Sequence, residues 1–133
     1  RECKCGSKGC FEKYCSMKTL KREIIETLEL DKNDTGANIV NEIRKHIDDL
    51  RVRPLIKEYV EYLAIGISNL VNIFEPEVVC IGGSFVFIGD LIIPKLKKEI
   101  QEKKLLFNPR KDVNIVLATL SNDAGIIGAA SLL

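Results

Sequence analysis

Residues 76–84 read Pro-Glu-Val-Val-Cys-Ile-Gly-Gly-Ser. Val78 to Ile81 form a short continuous apolar run, the pattern of a strand buried on both faces. Gly82 and Gly83 stop it, and an amphipathic helical stretch follows from Leu91 to about Lys104, with Pro94 near its start. Val113 to Ala118 reads as a second buried strand. Ser121-Asn122-Asp123 offers an N-cap, and Ala124 to Leu133 reads as a closing helix with Ala124, Gly125, Gly128 and Ala129 on one small-residue face. The order β-α-β-α predicts an α/β arrangement, a parallel strand pair joined by a right-handed crossover. Two strands make a thin sheet, so further strands are expected upstream of Arg1.

Working outward, Pro76 closes a long helix that Pro54 opens, in the first-turn position proline tolerates. Ile56, Tyr59, Val60, Leu63, Ile67, Leu70, Val71 and Phe74 hold its apolar face. Two more helical patterns precede it. Met17, Leu20, Ile24 and Leu28, with Ile25 beside them, form one. Ile39, Val40, Ile43, Ile47 and Leu50 form the other, after a break at Asn33-Asp34-Thr35-Gly36 with N-cap character. The chain thus divides into a Cys/Gly loop at 1–16, a helical segment at 17–75 and a β-α-β-α segment at 76–133, all within one structural domain.

The chain has 133 residues, 46% of them hydrophobic and 29% charged, which excludes disorder as its main state. Twenty basic residues against 19 acidic ones leave a net charge of +1, so this chain is not built to hold nucleic acid by charge. Lys95, Lys97, Lys98, Lys103 and Lys104 are interleaved with acids, Glu99 and Lys103 forming a favourable i,i+4 pair. They read as a solvated helix face. No apolar stretch approaches the ~18 residues that span a bilayer; the longest, Leu63 to Phe74, carries Ser68, Asn69 and Asn72. The expectation is a cytoplasmic protein without a membrane partner. Arg1 leads straight into a cysteine cluster, which suggests the C-terminal piece of a longer protein.

Five cysteines are present, Cys3, Cys5, Cys10, Cys15 and Cys80, four of them crowded at one end. That is a poor disulfide framework and favours reduced thiols. Cys3-x-Cys5-Gly6-x-x-Gly9-Cys10-x-Glu12 places three thiols among turn-forming glycines, which suits a tetrahedral zinc site. A set of free thiols is the alternative. Cys15, His46 and Cys80 are candidates for a fourth ligand. Cys15 lies nearest. His46 reads as an ordinary boundary residue of a helix, and Cys80 as a small core hydrophobe. Gly82 and Gly83, between strand and helix, suit close backbone approach to a nucleotide, or a plain turn. Asp123-Ala124-Gly125-x-x-Gly128-Ala129-Ala130 reads as close helix packing through small residues.

Three segments in this order, CKCGSKGCFE, PEVVCIGGS and DAGIIGAA, resemble the C-x-C-G-x-x-G-C-x-E, P-x-x-V-x-x-G-G and D-A-G-x-x-G-A-A segments of the ROK family (repressors, open reading frames and sugar kinases). The resemblance implies the C-terminal part of an actin-like, hexokinase-type (ribonuclease H-like) ATPase fold, with ATP and sugar bound between two lobes. It implies Cys3, Cys5 and Cys10 as zinc ligands, Glu12 as a contact to sugar hydroxyls, and Gly82 and Gly83 at the border of the nucleotide. The family's D-x-G-G-T segment, its catalytic aspartate and its E-x-G-H segment, whose histidine is the fourth zinc ligand, are absent from this chain and expected upstream. The intact protein is then expected to be an ATP- and magnesium-dependent hexose kinase of glucokinase type, this chain alone being inactive. A sugar-sensing ROK repressor with an upstream helix-turn-helix is the alternative, and a small zinc-stabilised interaction module the third. Family habit suggests a homodimer.

Overall fold

The computed structural model describes residues 1–30, 37–108, 112–120 and 123–132. Its helices are α1 (Glu12–Cys15), α2 (Met17–Leu28), α3 (Ala37–His46), α4 (Arg53–Phe74), α5 (Gly89–Glu102) and α6 (Ala124–Ala130). A 3-10 turn spans Gly83–Phe87, and the strands are β1 (Val79–Ile81) and β2 (Ile115–Leu117).

Local chemistry sets the helix ends. Ser16 caps α2, its hydroxyl accepting from the Thr19 N–H at 3.2 Å. Pro54 sits in the first turn of α4. Glu29 and Glu75 close α2 and α4 in the left-handed conformation. The break expected at Asn33 to Gly36 lies outside the described residues, as do Ser121 and Asn122. Asp123 stands at the start of α6 without a capping side-chain bond.

α4 is the spine. Its inner face, Ile56, Tyr59, Val60, Leu63, Ala64, Ile67 and Val71, is buried. The apolar faces of α2 (Leu20, Ile24) and α5 (Ile92, Leu96, Ile100) complete the same core. Asn72 fixes the path from α5 to β2: its amide donates to the Leu105 carbonyl at 2.9 Å and accepts from the Phe107 N–H at 3.0 Å.

β1 and β2 pair in parallel, with Cys80 opposite Val116. The predicted burial of β1 on both faces does not occur. Val79 and Ile81 lean on the core, whereas Cys80 is exposed and is no core hydrophobe. Strand side chains alternate, and among the described residues no element covers the second face. Leu70 and Phe74 stand on the outer side of α4, and Leu50 is 79% exposed in the turn beyond α3. Leu70 and Phe74 have rotated past the inner stripe of α4, whereas α3 ends at His46, so its apolar face does not continue to Leu50. The small-residue face of α6 packs on nothing described: Gly125 and Gly128 have no atom within 4 Å of where a Cβ would stand.

Candidate metal and substrate site

The Cys loop is a miniature hairpin. Glu2 bridges Lys8 in antiparallel fashion, the Cys3 N–H donates to the Ser7 carbonyl at 2.9 Å, and the Gly6 N–H donates to the Cys3 carbonyl at 3.1 Å. Gly6 and Gly9 reverse the chain at φ +87° and +82°, a region side chains rarely adopt. The turn folds Cys3, Cys5 and Cys10 together, with all three sulfurs within 4.8 Å of one another. Cys5 and Cys10 Sγ are 3.5 Å apart. This trio can hold a metal ion. Among the described residues no other Cys, His, Asp or Glu joins it.

The protons are shared unequally. Hydrogen bonding from the Ser7 backbone and then from the Cys10 and Cys3 thiols brings the Cys5 thiol down to about 7. The Cys5 contact is the largest cause pushing Cys10 up to about 11. Of this pair the thiolate forms more readily at Cys5, which is also the more exposed of the two. Cys15 points elsewhere. It packs against the core, and burial raises it to about 12. His46 faces the carboxylates of Glu42 and Asp49 at 3.6 and 3.9 Å, and Cys80 lies on the sheet.

The loop is seated on α4. Phe11 lies over Gly66, so closely that a Cβ there would meet its Cζ at 2.2 Å. One turn back, the Tyr14 and Tyr62 rings meet at 4.7 Å. Another turn back, the Arg1 guanidinium reaches Glu58 at 3.0 Å while its carbon sits 4.9 Å above the Tyr14 ring. Glu58, Tyr62 and Gly66 thus form an i, i+4, i+8 strip that docks the loop. A glycine inside a helix destabilises it by about 1 kcal/mol relative to alanine, which is the sequence signal that Gly66 has a packing role. Glu12 opens α1 on this platform. It is exposed, and its carboxylate has no partner among the described residues.

Gly82 and Gly83 follow the carboxyl end of β1. Gly82 lies against Ala118, just beyond the end of β2, and Gly83 has φ +66° with open space at its Cβ position. The 3-10 turn that follows is held by Arg44 of α3. Its guanidinium donates to both Asp90 oxygens at 2.8 and 2.7 Å and to the Phe87 carbonyl at 3.0 Å. Gly89 lets α5 start beneath β2, since a Cβ there would meet Leu117 at 2.3 Å. Neither Arg44 nor Gly89 stood out in the sequence.

The sequence model of the ROK family matches residues 1–133. The chain belongs to the ROK family. This ROK chain is 29% identical over 142 residues to the xylose repressor of Caldicellulosiruptor bescii, covering 98% of itself and 35% of that protein. It is 29% identical over 146 residues to the glucokinase of Streptomyces coelicolor, covering 98% of itself and 45% of that protein. Among solved structures, the ROK glucokinase from Streptomyces griseus in complex with glucose and AMPPNP superposes with a TM-score of 0.73 at 22% identity, over 96% of this chain and 45% of that one. The chain therefore spans between a third and a half of the length of these relatives.

Proposed function

We propose that this ROK chain is the C-terminal part of an ATP-dependent hexose kinase of glucokinase type, and that it supplies the sugar-selecting carboxylate and one border of the nucleotide site. The observation that carries the reading is Glu12, an exposed carboxylate with no partner among the described residues, two residues after the last thiol of the trio. A carboxylate accepts hydrogen bonds from two adjacent hydroxyls at once, which selects stereochemistry as well as affinity. Its position is set from both sides, by the thiol turn and by the seat on α4.

The thiol trio fits zinc. Sulfurs bound at about 2.3 Å to a tetrahedral ion stand about 3.8 Å apart, close to the Cys5–Cys10 separation of 3.5 Å. Cys3, Cys5 and Cys10 would hold the ion, with a fourth donor from outside the trio, and zinc would supply rigidity to the loop rather than chemistry. Gly82 and Gly83 border the carboxyl ends of two parallel strands, where open α/β sheets receive their ligands. ATP with magnesium would lie there, and the likeness to the S. griseus glucokinase supports an actin-like two-lobed frame around it. No residue of this chain is assigned as the base that takes the sugar proton; that group belongs to the remainder of the protein. The reading includes a cytoplasmic homodimer.

A second reading is favoured by the xylose repressor relative, which matches the chain as fully as the glucokinase does. In it the same Glu12 senses sugar, and DNA is contacted elsewhere, consistent with the net charge of +1.

The test is to express the complete open reading frame that encodes this chain and assay it with hexoses, ATP and magnesium. Sugar-phosphate formation that collapses in Glu12→Gln supports the kinase. Operator binding relieved by sugar, with no sugar phosphate, replaces it with the repressor. Sugar binding indifferent to Glu12→Gln overturns both and leaves an interaction module.

A further inference from the structure

We infer that the thiol trio is also an oxidation site, in which Cys5 and Cys10 form an intrachain disulfide under peroxide and thereby release the metal. The inference rests on the metal reading only for its second half. The disulfide itself follows from the loop.

Three observations select this pair. The Cys5 and Cys10 sulfurs are 3.5 Å apart, so they need to approach by only about 1.5 Å to reach bonding distance. The four residues between them include Gly6 and Gly9, both at positive φ with nothing within 4 Å of a Cβ position, so the turn has room to tighten. Cys3 is held differently. Its N–H and carbonyl both serve the hairpin bonds to Ser7 and Gly6, and only one residue separates it from Cys5, too short a span for an unstrained bridge. Exposure assigns the roles: Cys5 is open to solvent and Cys10 is half-buried beside it.

The chemistry closes. The Cys5 thiolate attacks one peroxide oxygen, the O–O bond breaks, and the departing oxygen leaves as water after taking up a proton, with Cys5 as the sulfenic acid. The Cys10 thiolate then attacks the Cys5 sulfur, the S–O bond breaks, and a second water leaves. Two thiols and one hydrogen peroxide become one disulfide and two waters. Two of the three thiolate donors are consumed, and the single remaining thiolate with the outside donor does not retain the ion. Because Glu12 follows Cys10 by two residues, the bridge also displaces the start of α1. The loop is then a peroxide-sensitive brake on whatever Glu12 binds.

The sequence makes the test unambiguous. Trypsin cleaves after Lys4, Lys8 and Lys13, so Cys3, Cys5 and Cys10 fall in different peptides. The chain, carrying Cys80→Ser to suppress bridging between molecules, is loaded with one equivalent of zinc and treated with one equivalent of hydrogen peroxide. The expected products are a mass loss of two hydrogens, a cross-link between peptides 5–8 and 9–13, and zinc appearing in a chromogenic indicator in step with the cross-link. Dithiothreitol reverses all three. In Cys10→Ser the cross-link is absent and Cys5 is trapped by a sulfenic-acid reagent. A cross-link through Cys3, or sulfinic acid on Cys5 without a cross-link, overturns the inference. A 5–8 to 9–13 cross-link with zinc still bound overturns the release step alone. A chain that binds no zinc yet still forms this cross-link shows that the trio alone does not hold the ion, overturns the release step for this chain and leaves the oxidation site standing.

Discussion

Replacing Gly66 by alanine separates the stability of α4 from its service to the thiol loop. The new methyl would lie 2.2 and 2.6 Å from the Cζ and Cε2 atoms of Phe11, so the ring must leave. Phe11 is 52% exposed, so the burial lost is about half that of a core phenylalanine, roughly 1 kcal/mol. The helix gains about 1 kcal/mol from alanine. The two nearly cancel, and the stability of the metal-free chain in urea should change by less than about 1 kcal/mol. On the proposed metal reading, zinc affinity has no such compensation. With Phe11 displaced, the turn carrying the three thiols loses 1–2 kcal/mol of preorganisation, which corresponds to about a 5- to 30-fold weakening. Competition with a chromogenic zinc chelator measures it. Gly125→Ala is the control, since it places a methyl in open space on α6 and should leave zinc affinity unchanged. Wild-type affinity in Gly66→Ala would refute the idea that docking on α4 organises the thiols.

Other outcomes follow from packing and charge. Ile92→Ala empties a fully buried position on α5 and should lower stability by about 2–5 kcal/mol, read as a shift in urea midpoint, whereas Leu70→Ala on the outer side of α4 should stay within about 0.5 kcal/mol; a large Leu70 effect would mean that another surface covers it. Gly89→Ala drives a methyl into Leu117 and Phe85 and should cost about 1–3 kcal/mol of overpacking in the same assay. The Arg44 fork holds the Asp90 carboxyl below its ordinary value, and the Arg51 side chain and N–H hold Asp49 at about 2. Both folded values lie below the unfolded ones, so their stabilisation is present above about pH 4 and is lost as pH falls through the folded values. Arg44→Gln should therefore lose less stability than wild type between pH 4 and 2; equal losses would show that the fork is silent.

Much of the frame was legible because periodicity reports directly on burial. The inner residues of α2 and α5 and most of those of α4 are the apolar positions spaced three and four apart. The convergence of Cys3, Cys5 and Cys10 was legible because glycine turns act over a few residues. Contacts across the chain were not. Arg1 meets Glu58 across 57 residues, Arg44 meets Asp90 across 46, and Asn72 meets Phe107 across 35. A pattern tells which face is apolar, not which element arrives to cover it. That is why Cys80 read as core and lies exposed, and why Leu50, Leu70 and Phe74 were assigned to faces they miss. Asn72 read only as a polar interruption, yet it pins the crossover. Glu12 was visible only through its neighbours, since nothing in a lone carboxylate announces its freedom.

The Arg44 fork has a mechanical consequence. Two parallel bonds to one carboxylate resist twisting as well as pulling, and a third reaches the carbonyl at the end of the 3-10 turn. The guanidinium therefore behaves as a stiff link rather than a tether. The end of the 3-10 turn and the start of α5 are thereby fixed to the last turn of α3. One arginine thus braces three elements at once, α3, the 3-10 turn and the first turn of α5, so that none of them can shift alone without breaking a charged bond.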